Sequence, residues 1–328
     1  MTDFWNDSPS LGSRIESVVS LMDETIASTD FPLAEALRGL VGSNGKMLRP
    51  ALLLIGARFG KGADDRRITA LAASIELLHV ATLIHDDILD EAELRRGVPT
   101  IHTQFGTKEA VLAGDWLLSR SFRLASESAA PENAQALGRL IGAICSAEIG
   151  QDLGKYRYDC SVRRYLRTIA GKTAALFSLA LHAGATEAKV APRLVVQRLR
   201  RAGYGIGMAF QVIDDILDFE SSEGVMGKPV GKDLREGLCT LPLIYALQAD
   251  RGSLEGLLAR SRKEKGQLDQ ASIDEIVDLT ARLGGLDRAR ETAHRFTART
   301  LAEINGLPNV PARAELAALA SKLLERTY

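Results

Sequence analysis

The pentapeptide Asp-Asp-Ile-Leu-Asp occurs twice, at Asp86 to Asp90 and at Asp214 to Asp218, each time at the C-terminal end of a long apolar stretch of helical period. Three carboxylates within five residues, two of them one turn apart, put negative charge where a helix tolerates it least, because helix C-termini disfavour anions. A cation is expected between the copies. At about 100° per residue, His79, Asp86 and Asp90 fall within about 40° of one another, so one face carries an imidazole and two carboxylates. Asp87 is turned about 100° away and is better placed to orient a neighbour than to share a metal. The second copy groups Gln211, Asp214, Asp215 and Asp218 around a common side at spacings of three, four and seven. Gly203 and Gly207, on that same side, leave room for a ligand or another helix to approach closely.

Hard oxygen ligands with open positions suit magnesium, which keeps several waters and bridges carboxylates to substrate phosphates, whereas zinc would call for His or Cys. An isolated DxxxD pair is most often a solvated helix end; two identical copies flanked by apolar sequence argue against that reading. Cations able to hold phosphates accompany the acids. Lys46 and Arg49 stand at a helix start, Arg95 and Arg96 follow the first copy, and Lys172, Thr173, Lys228 and Lys232 add further donors. Each alone is weak, since a surface Lys or Arg is most often merely solvated; the combination with the acids carries the argument.

The elements that must position these residues are helices. Apolar residues recur at helical spacing almost throughout, with no sustained period of two, so the fold class is expected to be all-α. Helices are predicted over roughly 11–28, 32–40, 48–59, 65–91, 107–127, 132–155, 162–184, 189–220, 238–249, 272–283, 287–304 and 311–326. Stretches 68–84 and 203–217 are apolar around most of their circumference and belong in the interior of a helical bundle. No linker or charge block divides the 328 residues, so a single domain over 1–328 is expected. Lys plus Arg (41) nearly balance Asp plus Glu (42), so no overall field steers the chain to nucleic acid or an anionic membrane. Cys145, Cys160 and Cys239 are odd in number and widely spaced, which argues against a disulfide framework or a zinc site and for a reducing cytoplasm. The acidic N-terminus does not read as a signal peptide, and no apolar run reaches the roughly 18 residues of a membrane span, so a soluble protein without stable membrane insertion is expected.

Ile84-His85-Asp86-Asp87-Ile88-Leu89-Asp90 with Arg95-Arg96-Gly97-Val98-Pro99-Thr100, and Ala209-Phe210-Gln211-Val212-Ile213-Asp214-Asp215-Ile216-Leu217-Asp218, resemble the two aspartate-rich motifs of the trans-polyprenyl diphosphate synthases. The likeness extends from Gly45-Lys46 through Ala113-Gly114-Asp115, Lys172-Thr173-Ala174 and Gly227-Lys228-Pro229 to Thr240-Leu241-Pro242. It implies a helical bundle of the isoprenoid synthase type around a central apolar cavity. It further implies that Asp86, Asp90 and Asp214 hold three magnesium ions on an allylic diphosphate, helped by Arg95, Lys172, Thr173, Gln211, Lys228 and Lys232, with Asp87, Asp215 and Asp218 completing the motifs. Lys46, Arg49, His79 and Arg96 match the isopentenyl diphosphate site. The implied reaction is ionisation of the allylic C–O bond, attack by the isopentenyl double bond, and proton loss, in a site that excludes water. The resemblance also implies a homodimer, for which 107–127 and 132–155 could supply an apolar face. Leu238 stands where the family usually has lysine, and Met47 where a basic residue is frequent.

Product length is expected to depend on the residues four, five and eight before Asp86, which are Thr82, Ala81 and Leu78, within about 11 Å of the metal along the helix. Short-chain members commonly carry an aromatic at the fourth or fifth position, and the small Ala81 and Thr82 resemble synthases of six to ten isoprene units. Trp116, Leu117, Phe122 or Ile141 could set the floor; if Trp116 does, the product is shorter. The rival readings are a shorter-chain (C15 to C25) synthase, a terpene cyclase and a noncatalytic partner subunit. The full aspartate content of the second copy disfavours the cyclase, and the retention of both copies disfavours the partner.

Overall fold

A computed structural model of the chain describes residues 3–5, 8–28, 33–42, 45–62, 64–95, 97–190, 192–220, 231–263 and 268–324. After a short 3-10 turn at Asp3–Trp5 come α1 (Pro9–Ala27), α2 (Ala34–Gly42), α3 (Leu48–Ala57) and α4 (Asp65–Leu89). A minimal antiparallel hairpin of β1 (Leu94–Arg95) and β2 (Val98–Pro99) leads into α5 (Ile101–Phe105), α6 (Thr107–Ser128) and α7 (Pro131–Asp152). Then follow α8 (Val162–Ile169), a π-helical turn (Ala170–Ala174), α9 (Ala175–Glu187) and α10 (Arg193–Glu220). The chain ends with α11 (Lys232–Arg235), α12 (Leu241–Ala249), α13 (Arg251–Lys263), α14 (Gln270–Arg282), α15 (Gly285–Asn305) and α16 (Pro311–Leu324).

The fold is all-α, as the periodicity predicts. Three differences have local causes. The segment expected as one helix over 162–184 is interrupted by the π turn at Lys172 and Thr173. The hairpin turns on Gly97, whose φ of +80° suits glycine. Helix α13 was not expected because Gly252, Ser253 and Gly256 weaken its propensity. Its start is held by Asp250, whose carboxylate accepts from Gly252 N at 3.0 Å and Ser253 Oγ at 2.5 Å.

The chain divides into two compact units. One comprises Met1–Arg139, Leu179–Arg200 and Leu307–Leu316; the other comprises Leu140–Ser178, Arg201–Gly306 and Ala317–Tyr328. In the first unit, α4 is the central element and packs on α1, α3 and α6. It is long and apolar enough to cross a membrane, contrary to the expectation that no run is. Yet 72% of its most apolar window is buried inside the protein, with Ile68, Leu71, Ile75, Leu78 and Ala81 at or near zero exposure. It is a core helix. Asp64 caps its start by accepting from Arg66 N. Ser74 and Ser121 each donate to the other's backbone oxygen at 2.8 Å, which locks α4 to α6 in register without leaving a buried polar group unmet. Buried Glu187 accepts from Ala130 N and Asn133 Nδ2 and pairs with Arg67, tying α4, α7 and α9.

In the second unit, α12 is buried along nearly its whole length and packs on α8, α13, α14 and α15. The Tyr245 and Thr292 hydroxyls bond at 2.9 Å between α12 and α15.

Close helix packing in the first unit rests on Gly184, where a Cβ would run into the Leu53 carbonyl oxygen and crowd Leu53 C at 2.9 Å. Backbone cannot yield as a flexible side chain can. Gly184→Ala is expected to destabilise by about 2 to 3 kcal/mol in urea unfolding. Exposed helical Gly39, which has nothing within 4 Å, should gain a few tenths to about 1 kcal/mol as alanine. Equal behaviour of the two variants would contradict this packing.

Candidate active site

The first aspartate copy occupies the last turn of α4. Its accessible side carries His79, Thr82, Leu83, Asp86 and Asp90, all partly exposed, whereas Leu78 and Ala81 have no accessible surface. Of the three residues expected to face the growing product, Thr82 has accessible surface and Leu78 and Ala81 have none; Leu83 also lies on the accessible side. Trp116 is half-buried with the Arg120 guanidinium 4.7 Å from its ring centre. Leu117 is fully buried, and Phe122 is 40% exposed on an outer face of α6 that also carries Val111 and Leu112. Ile141 is half-buried in α7.

Asp87 faces away from Asp86, as the helical spacing predicts, and the fold buries it to 4% exposure. Arg95 Nε donates to both its oxygens at 2.8 and 2.9 Å, and an amino nitrogen approaches at 2.6 Å. The hairpin that presents Arg95 is anchored to α4 by Ala92 N donating to Asp87 O at 2.9 Å. Arg95, which the resemblance gives to the diphosphate, therefore serves Asp87 in this structure. Asp90 is the C-cap residue of α4. The absence of Cβ at Gly114 makes room for the His85 ring, whose Nε2 lies 3.6 Å from Asp115.

Lys46 and Arg49 stand at the start of α3, where Met47 takes a left-handed φ of +47°. The Lys46 ammonium lies 5.4 Å from the Phe4 ring centre, and its carbonyl accepts from Trp5 Nε1 at 3.1 Å. Arg49 is half-buried. Arg96 and Lys228 lie outside the described residues, as do Gly227 and Pro229.

The second copy, on α10, differs from the first although its sequence is the same. Asp214 is partly exposed and Asp215 is 4% exposed. Asp215 accepts from Tyr165 Oη at 2.6 Å and Gln211 Nε2 at 2.9 Å, and Gln211 Oε1 in turn accepts from Thr173 Oγ1 at 2.7 Å. Burial pushes the Asp215 carboxyl up to about 7 against the pull of its two donors, with Asp214 and Asp218 adding repulsion. Burial, then the neighbouring Asp215, pushes the Tyr165 phenol well above its ordinary range. Asp218 accepts from the backbone N of Lys232 and of Asp233, both at 3.1 Å, and so holds the start of α11. Burial raises the Asp218 carboxyl, and burial with repulsion from Asp215 and Asp218 raises that of Asp233.

The π turn presents Lys172 and Thr173 beside α10. Close approach is possible because a Cβ at Gly207 would sit 2.6 Å from Ala174 Cα and one at Gly203 2.5 Å from Phe177 O. The room these glycines leave is thus taken by a helix, one of the two occupants their spacing allows. Lys172 Nζ pairs with Glu148 at 2.7 Å, and Lys232, 55% exposed, with Glu236 at 3.1 Å. Leu238 is half-buried, its N donating to Asp233 O at 2.8 Å.

Sequence reasoning missed Tyr165, Glu148 and the capping role of Asp218. A signal for Tyr165 was present, since it lies seven residues before Lys172 and so on nearly the same helix face.

Each copy therefore buries its central carboxylate and leaves others reachable. Among the described residues no group of three or more His, Cys, Asp or Glu side chains forms a metal cage. The donors fit a hard divalent ion held by one or two carboxylates and completed by water and phosphate oxygens. Burial is the first cause of the rise at Asp215, Asp218 and Asp233, with repulsion between carboxylates adding to it at Asp215 and Asp233.

Residues 31–277 match the family described as polyprenyl synthetase. The chain is 37% identical over 318 residues to heptaprenyl diphosphate synthase component 2 of Geobacillus stearothermophilus, covering 97% of both. It is 33% identical to the nonaprenyl diphosphate synthase of Mycobacterium tuberculosis, covering 95% of this chain and 92% of that one. Its fold is similar to the crystal structure of geranylgeranyl pyrophosphate synthase from Lactobacillus brevis, with a TM-score of 0.92, 34% identity and 99% of each chain covered. It is also similar to the polyprenyl synthase of Caulobacter crescentus complexed with calcium and isoprenyl diphosphate, with a TM-score of 0.89, 30% identity and 97% and 96% covered. The chain belongs to the polyprenyl synthetase family, whose catalysis depends on divalent metal, and is a prenyltransferase with the all-α isoprenoid synthase fold.

Proposed function

We propose that this prenyltransferase condenses isopentenyl diphosphate with an allylic diphosphate repeatedly, giving an all-trans product of six to ten isoprene units. The observation that carries the reading is the division of labour within each aspartate copy: Asp87 and Asp215 are buried and tethered, while Asp86, Asp90 and Asp214 stay reachable. Asp86, Asp90 and Asp214 ligate magnesium, three ions in all, on the allylic diphosphate. When bound, magnesium supplies positive charge that neutralises the diphosphate as the allylic C–O bond breaks. Lys172, Lys228 and Lys232 add donors to the same leaving group. Lys46, Arg49, His79 and Arg96 hold isopentenyl diphosphate. Excluding water keeps the allylic cation for the isopentenyl double bond.

The long product is supported by the heptaprenyl and nonaprenyl relatives and by the absence of an aromatic on the accessible side of α4 near Asp86, where Thr82 and Leu83 stand. A product of four isoprene units is the second reading, favoured by the likeness to a geranylgeranyl synthase.

The chain acts as one domain, in the cytoplasm, without membrane insertion, and as a homodimer. The exposed Val111, Leu112 and Phe122 on α6 supply an apolar surface that a second copy would cover. The Geobacillus relative is named as one component of a synthase, so a partner subunit is the alternative.

Incubation of the purified chain with magnesium, farnesyl diphosphate and isopentenyl diphosphate is expected to yield polyprenyl diphosphates of 30 to 50 carbons by mass, from a preparation that sediments as a dimer. Elongation only after adding another subunit, sedimentation as a single chain, or release of hydrocarbon or alcohol would each overturn the corresponding part. Asp86→Ala and Asp214→Ala should each cut turnover by about a thousandfold or more with unchanged helical circular dichroism; near-normal rates would remove the metal assignment. Trp116→Ala should shift the products longer, and an identical distribution would remove Trp116 as the floor. Tyr165→Phe strips one of two donors from buried Asp215, at a cost of about 1 to 3 kcal/mol of stability. It should lower kcat about tenfold while the KM for isopentenyl diphosphate stays constant, and a full kcat would show that Tyr165 does not position the second copy.

A further inference from the structure

Two cysteines that lie 79 residues apart in sequence meet in the second unit. Cys160 sits in the turn between α7 and α8, and Cys239 in the segment that joins α11 to α12. The two segments are fastened together at the backbone, Tyr156 N donating to Gly237 O at 2.8 Å and Tyr156 Oη to Arg235 O at 3.2 Å. The Tyr156 ring lies against Gly237, where φ is +74° and a Cβ would sit 2.5 Å from two ring carbons. This seam sets the two cysteine segments side by side, and Cys160 Sγ donates to Arg157 O at 3.3 Å. Both are reduced and partly exposed.

Their surroundings make them unequal. The hydrogen bond from Cys239 lowers the Cys160 thiol to about 7, with Arg164 helping and burial and Asp159 opposing. The same bond, then burial, pushes Cys239 well above its ordinary range, with Arg251 pulling the other way and Asp159 adding to the rise. A thiolate-forming cysteine next to a second thiol is the arrangement in which one sulfur attacks and the other resolves. Cys145 is a free, exposed cysteine on α7.

We propose that Cys160 and Cys239 form an oxidisable dithiol, with a low-molecular-weight disulfide as the oxidant. The Cys160 thiolate attacks one sulfur of the small disulfide, forming a mixed disulfide and releasing one small thiolate. Cys239 then gives up its proton and attacks Cys160 Sγ, expelling the second small thiolate. Two protein thiols are oxidised to one disulfide while one small disulfide is reduced to two thiols. The new bond closes a loop that contains the second aspartate copy, and it fastens the segment following α11, the helix whose start Asp218 holds.

The test is treatment of the full chain with oxidised glutathione at pH 7, followed by intact mass and peptide mapping. The wild type is expected to lose two hydrogens and give a Cys160 to Cys239 cross-linked peptide that dithiothreitol cleaves. Cys239→Ser should stop at a single glutathione adduct on Cys160, and Cys160→Ser should leave Cys239 unmodified. Adducts on Cys145 serve as the internal standard. A wild type that carries glutathione on both Cys160 and Cys239 without the cross-link, or a Cys160 that reacts more slowly than Cys145, would overturn the proposal. Neither readout depends on prenyltransferase activity.

Discussion

The constraint on which the structure depends is electrostatic: a helix C-terminus carries partial negative charge, and this chain ends one helix in three aspartates and places three more in the last turns of another. Such an arrangement is tolerable only if some of the carboxylates are neutralised by the protein and the rest by something else. The fold meets the first part by turning the middle aspartate of each copy inward. Asp87 and Asp215 are both 4% exposed, and each is held by side chains from elsewhere in its own unit. Inward rotation of one carboxylate leaves the residue one position before it about 100° away, where Asp86 and Asp214 remain reachable, and Asp90 stays partly exposed as the C-cap of α4.

Identical pentapeptides are solved differently by their neighbours. Asp87 receives a guanidinium, a full positive charge, from Arg95 in the short hairpin that follows α4. Asp215 receives only a phenol and an amide, and its carboxyl is correspondingly pushed up by burial to about 7. The third aspartates part company too, Asp90 closing α4 while Asp218 opens α11. The second copy is thus held by a chain of neutral hydrogen bonds running from Thr173 through Gln211 and Asp215 to Tyr165. That chain ties the π turn bearing Lys172 to the acids of α10, so one packing adjustment sets both. Gly203 and Gly207 permit it by letting the two backbones touch.

The all-α class, the long core helices and the separation of Asp87 from the Asp86 face were legible because they follow from period alone. Asp87 lies about 100° from Asp86, and no tertiary information is needed to say that the two cannot face the same way. The partners were not legible. Arg95 reads as a diphosphate ligand by resemblance, and only the hairpin geometry gives it to Asp87. Tyr165 and Asp215 are 50 residues apart, and Cys160 and Cys239 still farther, so local pattern cannot join them. The π turn escaped because its residues, Ala-Gly-Lys-Thr-Ala, carry no signal against a regular helix except the single glycine.

The same period decides what a growing chain can touch on α4. Counting back four, five and eight residues from Asp86 selects Thr82, Ala81 and Leu78, which at spacings of three and four lie on one face with each other but not all with Asp86: Ala81 stands about 140° from Asp86 around the helix, Leu78 about 80° and Thr82 about 40°. Burial agrees, since Ala81 and Leu78 have no accessible surface while Thr82, Leu83 and His79 do. Ala81 packs against its neighbours, where a larger side chain would have to move the core. Leu83, about 60° from Asp86, is partly exposed on the accessible side together with Thr82. Small size upstream of an aspartate motif is therefore distinct from accessibility: the fold covers Ala81 and leaves Thr82 and Leu83 with surface.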